Sequence, residues 1–138
     1  MKLDMRKSNI RDIIMQPNIH LETERLVIAN SLVHECADLQ DICNSWIDKM
    51  ELEGSGFEPN YIQKCFSQGD LPPIENASKS SYRLLTIKLK DTQTTIGFSD
   101  LYFGYPNDKT AWISIFMIHN NYRKNGYAQE AIKMIADE

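Results

Sequence analysis

The stretch WISIFMIHNNYRKNGYAQEAIKMIA, from Trp112 to Ala136, decides the fold. Ala111 to Ile118 is an almost unbroken apolar run, as expected of a central strand buried on both faces. His119 to Gly126 is polar and ends on the one glycine of the stretch. Beyond it Ala131, Ile132, Met134 and Ile135 recur on one helical face. A strand that runs through a turn into a helix presents unpaired N–H groups, and about half a positive charge, at the strand's end. Such an end suits a phosphate. Gly126 has no Cβ to hold a pyrophosphate off the main chain, and Arg123 and Lys124 add charge. The same residues also read as a plain Asn-Gly turn beside solvated cations, since one glycine among polar residues is a weak signal. Neither a GxxxxGK[ST] loop nor a GxGxxG after a strand offers another phosphate site.

Upstream, Pro106-Asn107-Asp108 is a turn, Thr94 to Phe103 a strand containing Gly97, Asp91 to Gln93 a polar turn, and Tyr82 to Leu89 another β-rich run. A hairpin therefore leads into the central strand. Leu71 to Ser81, with Pro72 and Pro73, is a loop. Between Glu35 and Met50, the residues Leu39, Ile42, Cys43, Trp46, Ile47 and Met50 mark one face of an amphipathic helix. After a loop from Glu51 to Pro59, a second helix over Asn60 to Gln68 carries Tyr61, Ile62, Cys65 and Phe66 on its apolar face. Leu26-Val27-Ile28 makes the first strand. Residues 1–20 form an N-terminal extension in which Ile10, Ile13 and Ile14 suggest a short amphipathic helix. Residues 21–138 then make one domain of order β-α-α-β-β-β-α, an α/β (α+β) architecture whose mixed, mostly antiparallel sheet is flanked by helices.

At 138 residues, 42% hydrophobic and 25% charged, the chain has the balance of one soluble domain with a real core. Its 15 basic against 19 acidic residues argue against nucleic acid as a partner. No apolar run approaches the ~20 residues that span a bilayer, so no membrane partner is expected. Charges at Lys2, Asp4, Arg6, Lys7, Arg11 and Asp12 break up any signal-peptide core, which points to the cytoplasm. Cys36, Cys43 and Cys65 form no CxxC pair and are odd in number, so reduced thiols fit better than a disulfide framework. His34, Cys36 and Cys43 lack a fourth ligand, and no metal is expected.

Two separated strings resemble a known family. Arg123-Lys124-Asn125-Gly126-Tyr127-Ala128 resembles the Q/R-x-x-G-x-G/A motif of the GNAT superfamily of acyl-CoA-dependent N-acyltransferases. The run Gly126 to Ala131 is similar to the branch that includes ribosomal-protein N-terminal acetyltransferases, and Leu21-Glu22-Thr23-Glu24-Arg25-Leu26-Val27-Ile28 resembles that branch's opening strand. The resemblance implies acetyl-CoA as cosubstrate and an amine of a protein or small molecule as acceptor. It also implies a cofactor site in which phosphates rest on the amides of Lys124, Asn125, Gly126, Tyr127 and Ala128 near Arg123, while pantetheine pairs with the main chain of Phe116, Met117 and Ile118. An unpaired strand edge offers N–H and C=O groups to such an amide-bearing arm.

Departures accompany the matches: Lys124 stands where many members have glycine, and Asn120 where many have proline. The resemblance covers the N-terminal two-thirds of a family domain and lacks its C-terminal strands and helix, so a non-catalytic CoA-binding or interaction module is the alternative reading. The edge beside Ala111 to Ile118 is expected to be covered by another copy of the chain, as a homodimer, or by the N-terminal extension. The family reaction is direct attack of an amine on the thioester, which needs no cysteine nucleophile. The glutamate that some members place on the central strand as base has no counterpart from Ala111 to Ile118. Ser114 and Asp100 are the nearest polar candidates, with Asp100 read as more simply an exposed strand residue and His119 as a solvated loop histidine. Trp46, Phe57 and Tyr61 are candidate acceptor contacts, with Trp46 read first as core. The catalytic residue is left open.

Overall fold

The computed structural model describes residues 1–4, 18–46 and 58–136. The expected helix around Ile10, Ile13 and Ile14, the end of the first helix at Ile47 and Met50, and Phe57 lie outside these residues. The described elements are β1 (Lys2–Asp4), β2 (His20–Glu22), β3 (Leu26–Asn30), α1 (Cys36–Asn44), α2 (Tyr61–Gln68), β4 (Tyr82–Leu89), β5 (Thr95–Phe103), β6 (Thr110–Trp112), β7 (Phe116–Ile118) and α3 (Tyr127–Ala136). Every strand pair is antiparallel, in the order β1-β6-β5-β4-β3-β2, with β7 also paired to β5.

The sheet separates two apolar layers. On one face Leu26, Ile28, Leu85, Ile87, Ile96 and Ile118 pack with Ala131 and Ile135 of α3. On the other, Leu84, Phe98, Tyr102 and Met117 pack with Leu39, Ile42 and Cys43 of α1 and Ile62 and Cys65 of α2. Alternation along β4, and along β5 from Phe98 to Phe103, assigns neighbouring residues to opposite layers, a register shift opposite Ile87 and Lys88 placing Ile96 with the α3 layer, and the spacing of three and four along each helix keeps its buried side chains on one stripe. The class is the expected one, a mixed α+β fold with helices on both faces of an antiparallel sheet.

Two runs read as single strands are each divided. At the first, the Thr23 hydroxyl accepts the Leu26 N–H (2.9 Å) and the Thr23 N–H donates to the Leu26 carbonyl (2.9 Å), so β2 and β3 form a tight hairpin. At the second, Ala111 to Ile118 breaks over Ile113–Ile115. Trp112 lies opposite Tyr102 in β6, whereas Phe116 lies opposite Ser99 in β7, so the chain gains one residue on β5 across the break. β1 covers the β6 edge, with Leu3 opposite Ala111. No described strand covers the outer edge of β7.

β7 approaches β5 closely because Gly97 lies opposite Ile118. A Cβ at Gly97 would stand 2.6 Å from the Met117 carbonyl oxygen and 2.7 Å from Ile118 Cδ1. Only glycine leaves room for that contact.

Candidate functional site

β7 and the start of α3 together wall a cavity of about 480 Å³, lined by Trp46, Phe116, Ile118, Tyr122, Arg123, Lys124, Gly126, Tyr127, Ala128 and Gln129. Seven of the nine expected cofactor residues therefore meet in one groove. Met117 and Asn125 do not line it. Met117 turns its side chain into the layer beneath α1. Asn125 braces the turn, its amide donating to the carbonyls of Tyr122 (3.2 Å) and Arg123 (3.1 Å).

The strand half of the groove follows from ladder geometry. The His119 N–H donates to the Ile96 carbonyl (2.7 Å), so the alternation of an antiparallel pair directs the Met117 main chain to β5 and the Phe116 and Ile118 main chains outward. The Ile118 carbonyl is in fact reached from outside, by the Trp46 indole N–H at 3.0 Å. The helix half follows from chain termination. Glu130 is the first residue of α3 whose N–H finds a helical carbonyl, that of Gly126 (3.1 Å). Among the described residues no main-chain carbonyl accepts from the N–H groups of Asn125 to Gln129, and Gly126 to Gln129 line the groove. Gly126 (φ 80°) and Lys124 (φ 65°) both take the left-handed backbone that turns these groups in one direction.

The two separated strings of the sequence touch. The Thr23 hydroxyl and the Arg25 N–H (3.0 Å) both donate to Glu130 Oε2, while the Arg25 guanidinium donates to Glu130 Oε1 (2.7 Å) and to the Asn125 carbonyl (3.1 Å). That guanidinium also lies 4.3 Å over the Tyr127 ring. Burial pushes the Glu130 carboxyl up, but the hydrogen bonds from Thr23 and Arg25 and the charge of Arg25 outweigh it and hold it below the ordinary carboxylate range. The hydrogen bond to Glu130 in turn raises Arg25. The β2–β3 hairpin thus fixes the first turn of α3.

Trp46 packs against the layer beneath α1 and α2, as its reading as core expects, and it also borders the groove. It is half-buried at the end of α1, its indole occupying the β7 edge and its ring lying 4.2 Å beneath the Arg123 guanidinium. Ser45, its neighbour, accepts the Asn120 N–H (3.1 Å), which ties α1 to the loop after β7. No local signal in the sequence places Trp46 here, because its periodicity is equally that of a core residue.

Asp100 corrects the reading of that residue. It is not an exposed strand residue: it is 1% exposed. Its Oδ1 accepts the N–H groups of Ser114 (2.9 Å) and Ile115 (3.1 Å), and its Oδ2 accepts the hydroxyls of Tyr82 (3.2 Å) and Ser114. This carboxylate supplies the partners that the broken strand lost. His119 is half-buried, and its Nδ1 accepts the Asn121 N–H (3.0 Å). Cys36, Cys43 and Cys65 are buried thiols, and burial pushes Cys43 up to about 12, which leaves too little thiolate for a nucleophile.

No family model matches the sequence, and no curated protein matches it significantly. Its backbone is similar to that of an acetyltransferase from Thermus thermophilus, with TM-score 0.65 and 18% identity, over 86% of this chain and 71% of that one. It is also similar to a GNAT-family acetyltransferase from Bacillus anthracis, with TM-score 0.58 and 18% identity, over 84% and 63% of the two chains. An acetyltransferase from Agrobacterium tumefaciens gives TM-score 0.57 and 17% identity, over 86% and 65%. The chain thus spans under two-thirds of the second and third of these proteins. At these identities the likeness is one of fold, and the fold is that of the GNAT acetyltransferases.

Proposed function

We propose that this chain binds acetyl-CoA in the groove between β7 and α3 and transfers the acetyl group to a primary amine. The supporting observation is that one cavity joins an outward-facing strand edge, at Phe116 and Ile118, to an unpaired helix N-terminus, at Gly126 to Ala128. The first suits an extended amide-bearing arm and the second a pyrophosphate. Coenzyme A contains both, connected in that order.

In this reading the residues position rather than react covalently. The amides of Lys124 to Ala128 hold the phosphates, with Arg123 and Lys124 adding charge. The outward main chain of Phe116 and Ile118 orients the arm, for which the Trp46 indole leaves the Ile118 carbonyl. The amine then attacks the thioester carbon directly, and orientation and loss of the amine proton supply the rate. The resemblance of Leu21 to Ile28 to the ribosomal-protein branch favours a protein N-terminal amine as acceptor, and the three free thiols suit a cytoplasmic setting.

Titration calorimetry with coenzyme A and acetyl-CoA, followed by thiol release with primary amines, tests the proposal. Binding with thiol release is the expected result. Binding without turnover would leave a coenzyme A-binding module, and no binding would sink the site.

A further inference from the structure

The break between β6 and β7 places an unusual group at Ser114, two residues before Phe116 at the strand end of the groove. Ser114 is exposed, yet its hydroxyl donates to Oδ2 of the buried Asp100. The same hydroxyl lies 3.4 Å from Asp70 Oδ2, which also accepts the Tyr61 hydroxyl at 3.3 Å. A hydroxyl has one proton to donate, and the closer Asp100 takes it. The free lone pairs of Ser114 then face solvent, between the sheet and α2.

The location matters as much as the contacts. With phosphates at the start of α3, just beyond Ile118, an extended arm runs back along β7 from Ile118 to Phe116. Its reactive end therefore arrives at the residues preceding Phe116, where Ser114 stands. We infer that Ser114 and Asp100 form the route by which the acceptor amine loses its proton, with Asp70 and Tyr61 at the mouth of that route. This inference deepens the acetyltransferase reading and rests on it.

The proton balance is closed. The amine nitrogen forms a bond to the acetyl carbon while the carbon–sulfur bond breaks. Its proton passes to Ser114 Oγ as the serine proton passes to Asp100 Oδ2. The thiolate leaves and takes a proton from water, and Asp100 returns its own to solvent through the same hydroxyl. Ser114 touches the amine, and Asp100 is a positioning residue that acts through it.

The surroundings suit this role. Facing Asp100 are Tyr82 from β4, Tyr61 and Cys65 from α2, and Asp70 just beyond α2. Burial raises Tyr82, Tyr61 and Cys65, so these three stay protonated. Burial likewise holds the Asp100 carboxyl above the ordinary range, against the pull of the Ser114 hydroxyl and the two N–H groups, and Asp70 adds to the rise. A carboxylate held above its ordinary range is a better proton acceptor than a solvated one.

The test uses the full chain, acetyl-CoA, and glycine amide, spermidine and an unblocked peptide as acceptors. Ser114→Ala keeps both N–H bonds to Asp100, so a carboxylate that only braces the break predicts no kinetic effect. The relay predicts that Ser114→Ala lowers kcat about 100-fold and removes the low-pH limb set by Asp100. Coenzyme A affinity should stay unchanged, and Ser114→Thr should recover activity to within a few-fold of the parent. Parental kcat and pH profile in Ser114→Ala overturn the relay alone. Parent protein that binds coenzyme A but acetylates none of the three amines overturns the relay and leaves the groove. Parent protein that binds no coenzyme A overturns both.

Discussion

Lys124 and Gly126 share the left-handed backbone, but only one of them is glycine. A side chain in that region costs roughly 1–2 kcal/mol, so the turn holds Lys124 under strain. Replacing Lys124 by glycine relieves the strain at some cost in chain entropy, and by valine increases it. Urea titration should therefore find Lys124→Gly near parental stability and Lys124→Val less stable by at least about 1 kcal/mol, though both lose the same charge. At Gly126 a Cβ would meet only Arg25 Nη2, at 3.5 Å. Gly126→Ala should fold with a loss of roughly 1 kcal/mol, and calorimetry should show weakened coenzyme A binding because the added methyl sits at the phosphate amides. Undiminished binding would place the phosphates elsewhere. The glycine was legible in the sequence, whereas the lysine's conformation was not, since φ follows from the turn that both ends of the chain impose.

At the scale of elements, β4, β5, α1 and α2 take the types that their sequence patterns display, because the two helices each bury one stripe and the two strands, rich in β-formers, are buried on both faces. The two divided strands do not, and for one reason. Each break is held by a side chain: Thr23 in one case, and in the other Asp100, 14 and 15 residues from its partners. The apolar pattern continues through the second break, over Ile113 to Ile118, so nothing local marks it. The close contact of β5 and β7 predicts that Gly97→Ala displaces β7 and destabilises by about 1–3 kcal/mol, with a parallel loss of coenzyme A affinity measured by calorimetry. A second prediction concerns the hairpin and α3, joined through Arg25 and Glu130 over 105 residues. Arg25→Leu and Glu130→Gln should each weaken coenzyme A binding several-fold, and the double variant should lose less than the product of the two. Multiplicative losses in that cycle would show that the pair does not position the turn.

For the whole molecule, two kinds of carboxylate oppose each other. Burial raises Glu35, but Lys88 at 2.6 Å, the Leu32 N–H and Thr86 outweigh it and hold the carboxyl low, as Thr23 and Arg25 do for Glu130. Stability from these two is present above the ordinary carboxylate pKa of about 4 and is lost as pH falls through their lowered values. Asp100 has the opposite sign: its raised pKa means that its charged form costs stability, and protonation on the way down from neutral pH relieves that cost. Urea titrations against pH should show a maximum on the acid side of neutral, followed by a fall that Glu130→Gln reduces. A curve declining steadily from neutral pH would contradict the Asp100 assignment. Ligand linkage gives a further whole-molecule expectation: coenzyme A at about 100 times its Kd should stabilise the fold by about 2.7 kcal/mol, or raise Tm by roughly 8–10 °C for a chain of this size.

The sequence by itself determined the element types and the class of fold, because hydrophobic period and helix termini are local properties. It also determined the turn for which we propose phosphate binding, since strand, polar turn, glycine and helix lie consecutively from Trp112 to Ala136. The tertiary structure alone decided which residues complete the site. Trp46 meets Ile118 across 72 residues, Thr23 meets Glu130 across 107, and Asp100 joins Ser114 only because β5 lies against the broken strand. Such contacts depend on strand register and on which face each helix packs, and both are set by burial summed over the whole core rather than by any local run of residues.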